Sequence, residues 1–458
     1  MQPSIQRVGA VSRLTTKAAF RFKLIPWLLL AMGMAITTIP YLIRHDGTAE
    51  MFARVQLSYS LTVAGILLAA STLWLSCGIL AQDIEKHYIS LITSKPIARW
   101  EIWIGRWIGI FALNSAFITI VGTGVFGILL LHSKKLSPEE QTQLNQVVLT
   151  SRASVSEEPP DEEKEIDLLF ERRTENMNIA LANESRIRER LKEEVRWMNQ
   201  LVKPLYRRIW SIPIEKKFSN KNNETLQIQV KFYSSPDAEI TSFPMTWLIG
   251  DPKSPTRWEK NLDLTPMTTH EWSIPANLIN SNGYLNIECQ NYTDLTVVFK
   301  IEDGLRVLYK DGSFLANYCK ALMIILSWLG LISALGLWAA TFTSLPVATF
   351  LILTIFLIVG SGSLFEIIAT EGTISTYNED TGKGNWNHLD WLLVPLFTVL
   401  YQIVEILRSI SPIDRLVTGQ SIPTQEWLAY LTLIGSMLIT PFSFWGMFLL
   451  TRKELKGN

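Results

Sequence analysis

Most residues of this chain that could do chemistry are scattered without pattern, and one group is ordered. His45, His87, His132, His270 and His388 show no His-Glu-x-x-His or comparable metal-ligand spacing. Gly382-Lys383-Gly384 lacks the upstream glycine and the hydroxyl residue of a phosphate-binding loop, so ATP is not expected on this chain in that mode. No Gly-x-Ser-x-Gly elbow occurs. Cys77, Cys289 and Cys319 are too few and too dispersed for a disulfide framework or a thiolate metal site. Glu366 borders an apolar run, where it reads as an interfacial surface carboxylate before it reads as part of a substrate path. The chain is therefore not expected to be an enzyme, and no catalytic, cofactor or metal site is expected on it.

The ordered group runs from Gln82 to Arg106 and begins with the acids Asp83 and Glu85. Ile84, Tyr88, Leu91 and Ile92 share one face at helical spacing, which predicts a short amphipathic helix lying on a membrane. Pro96 ends that helix, and Ser94, Lys95 and Arg99 flank the stop. Arg99 and Arg106 are placed to anchor at headgroups as the next apolar run begins.

Such a segment must be held by elements that cross the bilayer. The 458 residues are 48% hydrophobic and 18% charged, with the apolar residues gathered in blocks. Charge-free runs cover Leu24 to Ile43, Val55 to Gln82, Trp107 to Ser133, Ala321 to Phe365 and Trp427 to Thr451. Each reaches the roughly 20 residues that one helical span needs, and Ala321 to Phe365 is long enough for two. Thr341-Phe342-Thr343-Ser344-Leu345-Pro346 interrupts that run, so it reads as a helical hairpin and the total is six spans. Trp391 to Val404 is shorter and precedes Glu405 and Arg408, which suits a re-entrant or interfacial helix at about 390–410, ended by Pro412; a seventh full span is the alternative. Trp27, Trp100, Trp103, Trp107, Trp386, Trp391 and Trp427 fall near span ends, as an aromatic belt would.

Charge sets the orientation. Arg7, Arg13, Lys17, Arg21 and Lys23 precede the first run with no acid among them, and Arg452, Lys453 and Lys456 follow the last. Six spans put both ends and the loop 82–106 on one side, the cytoplasmic side by the positive-inside rule. The first run is read as an uncleaved span, since it is long and no Ala-x-Ala site follows it. Lys plus Arg and Asp plus Glu number 42 each, so the formal charge of zero gives no argument for nucleic acid.

The same topology places a polar insertion, 132–316, outside the cytoplasm. Its 136–210 part reads as helical, with an acidic linker around Glu157 to Glu163 and an apolar stripe Ile187, Leu191, Val195, Met198 and Val202. That stripe suits a solvated helix packed on its own domain, with another helix or a second chain as the alternative. Its 224–309 part alternates, as in Leu226 to Phe232 and Leu295 to Ile301, which predicts strands of a small β-sandwich; Asn280-Ser281-Asn282-Gly283 fits a hairpin turn. The fold class expected is thus an α-helical polytopic membrane protein, with membrane halves 1–131 and 317–458 around an α+β extracytoplasmic domain.

Asp83 and Glu85, the Leu91-Ile92 turn, Ser94-Lys95-Pro96-x-x-Arg99 and Gly105-Arg106, in that order between two spans, resemble the permeases of the type-2 ABC exporter superfamily. His87-Tyr88 departs from the pattern, standing where the family has Gly-Thr. The stretches 307–314 to 344–348 are also similar to permeases of this group, and the likeness covers the membrane parts but not 132–316. It implies that 82–106 is a coupling loop seated on a separate cytoplasmic ATPase that carries ATP and Mg. It further implies an exporter half, paired as a homodimer or with a second permease, lipid-embedded in the bacterial cytoplasmic (inner) membrane with both termini cytoplasmic. A non-transporting scaffold or mechanotransmission subunit acting on the cell envelope is the alternative. No motif encodes the substrate.

Overall fold

The computed structural model describes residues 4–21, 24–43, 48–86, 97–134, 136–138, 140–141, 144, 148–157, 162–174, 181–214, 225–234, 242–251, 257–280, 282–301, 303–362, 365, 368–369, 377–378, 383–384, 389–408 and 411–452. They fall into two compact units, 1–150 with 313–458, and 151–312.

The first unit is helical. Its elements are α1 (Ser4–Arg21), α2 (Leu24–Leu42), α3 (Ala49–Glu85) and α4 (Arg99–Ser133). Among the described residues, four helices of this unit are long and apolar enough to cross a membrane: Met51–Glu85 within α3, α4, a helix Phe314–Phe342 and a helix Thr424–Arg452. The chain is accordingly read as a membrane protein. α1 and α2 meet at 70° and pass the same test only as a bent pair. No acid or base lies between Leu24 and Leu42, whereas α1 alternates bases with small and apolar residues.

The 321–365 run breaks after Phe342, where Thr343 and Ser344 take extended backbone, and a shorter apolar helix follows over Leu345–Gly360. Pro346 sits in its first turn, where its missing N–H costs no bond. The helix Asp390–Arg408 encloses Pro395 and is not among the membrane-length four. A short helix Pro412–Val417 leads into Thr424–Arg452, which is π-helical over Ile434–Ile439.

The second unit is two antiparallel four-stranded sheets. Numbered along the chain, the strands are β1 (Ser151–Ser156), β2 (Leu201–Val202), β3 (Arg207–Pro213), β4 (Thr225–Val230), β5 (Phe243–Ile249), β6 (Trp258–Leu264), β7 (His270–Pro275), β8 (Tyr284–Asn291), β9 (Val297–Val298) and β10 (Leu305–Gly312). The sheet orders are β1-β10-β4-β7 and β3-β8-β5-β6, with β2-β9 a separate short pair. Both sheets feed one core, in which Ile228, Ile274 and Val307 of the first meet Trp210, Trp247 and Ile287 of the second. Trp247 packs edge to face on Trp272 at 5.2 Å, joining the two layers.

Strands begin earlier than the sequence suggests, since Ser151–Ser156 and Arg207–Pro213 lie in the stretch read as helical. Two helices, Glu162–Thr174 and Leu181–Met198, also lie in it, and Ile187, Leu191 and Val195 pack on Ile166, Leu169 and Phe170. The stripe stops there, because Met198 is exposed and Val202 enters the sheet core instead. Asn280 and Gly283 close a turn, the Gly283 N–H donating to the Asn280 carbonyl at 3.0 Å, but the strands on either side of it are not paired with each other. It carries the chain from the first sheet to the second, with Asn280 Oδ1 accepting from the Tyr284 N–H at 2.8 Å and Gly283 at a φ of 85°.

Candidate functional site

Two of the residues that open and close the polar loop are ion-paired. Asp83, in the last turn of α3, and Arg106, in the second turn of α4, approach to 2.5 Å with side chains 12% and 6% exposed. Arg106 Nη1 also donates to Thr15 Oγ1 of α1 at 3.2 Å. A charge pair buried this deeply is held by its geometry, since each ion left alone would keep its full desolvation cost.

Glu101 makes the second link. As the third residue of α4 it accepts from the Ala98 N–H at 2.9 Å, the carboxylate half of a capping box, close to the positive end of the helix dipole. Ser4 Oγ donates to its other oxygen, and Arg7 lies 3.4 Å away. Glu101 is 1% exposed, so Ser4 and Arg7 of α1 add to the Ala98 N–H the partners that a buried anion needs.

Arg99 makes the third. Its Nη1 donates to the Leu450 and Thr451 carbonyls at 3.1 and 2.9 Å, which neutralises carbonyls at the end of the last helix. Beneath these links Leu80, Ile102, Trp103 and Leu450 form one apolar cluster.

Close packing lets α1 reach these partners. A Cβ on Gly105 would lie 2.6 Å from Val11 Cβ, and one on Gly109 would lie 2.6 Å from Thr15 Cβ, so only glycine at these two positions admits α1 at this distance.

Of the residues expected in the coupling loop, Asp83, Glu85 and Arg99 are described, and Glu85 is exposed with no partner among the described residues. Leu91, Ile92, Ser94, Lys95 and Pro96 lie outside the described residues, as do His87 and Tyr88. Two readings of side chains need correction. Arg99 and Arg106 were expected to anchor at headgroups but bond within the protein, because a helix end and a buried carboxylate are nearer partners. Trp103, expected in an interfacial belt, is a core residue 1% exposed, while Trp27, Trp100 and Trp391 are exposed. Sequence reasoning missed Ser4, Arg7 and Thr15, whose signal was the small-residue pair Gly105 and Gly109 facing Val11 and Thr15.

Elsewhere in this unit, α4 and Phe314–Phe342 border an open apolar groove of about 320 Å³, lined by Ile118, Gly122, Leu322 and Met323 among others. Three hydroxyls of its lining are already engaged, since Thr119, Thr123 and Tyr318 donate to backbone carbonyls. Among the described residues no three His, Cys, Asp or Glu side chains gather as a metal site would require.

No family model, curated protein or solved structure matches the chain. Three ionic or charge-assisted links join α1, α3, α4 and the last helix where α3 ends and α4 begins.

Proposed function

We propose that the chain is the membrane-spanning permease subunit of an ATP-driven transporter of the type-2 exporter kind, coupled through residues 82–106 to a separate cytoplasmic ATPase. In this reading α2, α3, α4, Phe314–Phe342, Leu345–Gly360 and Thr424–Arg452 are six spans, the loop and both chain ends are cytoplasmic, and 151–312 is extracytoplasmic. The membrane is the bacterial inner membrane, and two copies pair.

The observation that carries the proposal is the clamp at the loop's mouth. A loop that receives a push must pass it to the bundle without absorbing it, and a rigid element with two arrangements does this better than a slack one. The links Asp83–Arg106, Glu101–Ser4 and Arg99–Thr451 tie that loop to α1 and to the last helix. The order of Asp83, Glu85, Ser94-Lys95-Pro96 and Arg99 in the sequence supports the same assignment. ATP and Mg then belong to the partner, and this chain converts the partner's closure into movement of its helices.

The test is co-purification of the tagged chain with the ATPase encoded beside it. Glu85→Ala/Arg99→Ala releases the ATPase; its full retention refutes the coupling role.

A scaffold or mechanotransmission subunit is the second reading, favoured by Leu205, Tyr206 and Tyr292, all exposed on the sandwich, the first two with their backbones bonded to Asn291. ATPase stimulation by a small transported compound supports transport, and stimulation only by an envelope protein or wall polymer supports the scaffold.

A further inference from the structure

We propose that the outward face of α1 is a binding surface for the anionic headgroups of the bilayer, with Arg13 and Lys17 as its contacts. The inference rests on the membrane reading above but needs no ATPase.

α1 has two faces of different use. Val11, Thr15 and Ala19, spaced by four, are buried, the first two against Gly105 and Gly109 of α4. Arg13 and Lys17, also spaced by four, lie about 160–200° around the helix from the middle of that stripe at 100° per residue and are exposed. Neither has an ion-pair or hydrogen-bond partner among the described residues, whereas Arg7 and Arg106 are held by Glu101 and Asp83. Residues 1–23 hold no acid to neutralise them.

The occupant follows from what surrounds these cations. Leu14 and Phe20 stand 55% and 60% exposed on the same helix, and large apolar side chains beside unpaired cations are the composition of a helix that lies in the headgroup layer. The charge-free α2 departs from α1 at 70°, so α1 stays where a spanning α2 meets the bilayer surface. A soluble acidic protein would complement the charge but not the apolar neighbours. Each cation near an anionic surface strengthens association about fivefold, hence about thirtyfold for the two.

The test uses the full chain in a neutral detergent, with phosphatidylglycerol or phosphatidylcholine titrated in and bound lipid counted by native mass spectrometry. The wild type is expected to prefer phosphatidylglycerol, Arg13→Gln/Lys17→Gln to bind it about thirtyfold more weakly with phosphatidylcholine unchanged, and Arg13→Lys/Lys17→Arg to behave as wild type. Equal binding of phosphatidylglycerol by wild type and the Gln variant overturns the proposal. So does competition by inorganic phosphate, which would mark a free-anion site, or a preference transferred to acidic peptides. Failure of the chain to partition with membranes would instead sink the membrane reading itself.

Discussion

Arg106 Nη2 lies 2.5 Å from Asp83 Oδ2, and this contact closes the segment 84–105 at its base. Two consecutive long helices are thereby fixed to each other where the chain leaves the apolar bundle. The same guanidinium reaches Thr15, so the N-terminal helix is part of the closure.

Removing one partner of the pair should be worse than removing both. Asp83→Ala or Arg106→Ala leaves a buried ion without its counter-ion, a loss of about 3–5 kcal/mol. Asp83→Ala/Arg106→Ala should lose less than the sum of the single changes. Thermal unfolding of the four proteins in detergent gives the coupling, and strict additivity would show that the pair does not act as a unit.

Docking of α1 depends on the missing side chains of Gly105 and Gly109. Gly109→Ala sets a methyl 2.6 Å from Thr15 Cβ and 2.8 Å from the Ser12 carbonyl, so α1 must lift away. Trypsin should then cut after Arg13 and Lys17 faster than in the wild type. An unchanged cleavage rate would contradict the close packing.

The long helices were legible because charge-free runs need no partner to be recognised, and the break before Leu345 was legible because Ser, Thr and Pro mark it locally. α1 was not legible as more than a basic tail, since its buried stripe of Val11, Thr15 and Ala19 is small and has meaning only opposite Gly105 and Gly109. The stretch Leu295 to Ile301 alternates like a full strand but is strand only at Val297 and Val298, which pair with the two residues of β2, with one further bridge from Val298 to Tyr233. Glu85 and Arg99 look alike in sequence as loop charges. In the structure Arg99 has helix-end carbonyls within reach, while Glu85 is exposed.

Asn317 ties the first turn of Phe314–Phe342 to the linker before the last helix. Its amide donates to the Gln420 carbonyl and accepts from the Ile422 N–H, both at 2.8 Å, and it is 3% exposed. Asn317→Ala orphans both backbone groups and should cost about 1–3 kcal/mol for each. Asn317→Asp, which keeps the acceptor, should cost less; equal losses would argue that the linker finds water instead.

Cys289 gives the sandwich an alkaline limit. Burial raises its thiol far above the usual 9.0, against the opposing effect of Arg208, so the folded chain keeps a proton that the unfolded chain releases. Stability is therefore full below pH 9.0 and falls as pH rises above it. Cys289→Val should flatten that part of the profile, measured by urea unfolding of the full chain at a series of pH values. An unaltered slope would contradict the assignment.

The account stands on the loop between α3 and α4 facing the compartment opposite to the sandwich. Cys319 is exposed while Cys77 and Cys289 are buried, so a Cys319→Ser background leaves little native thiol to label. Into it go Lys86→Cys, at the loop's entry, or Tyr206→Cys, on the exposed rim of the sandwich. A membrane-impermeant maleimide applied to intact cells is predicted to label Tyr206→Cys at once and Lys86→Cys only after permeabilisation. Labelling of Lys86→Cys in intact cells would contradict the account.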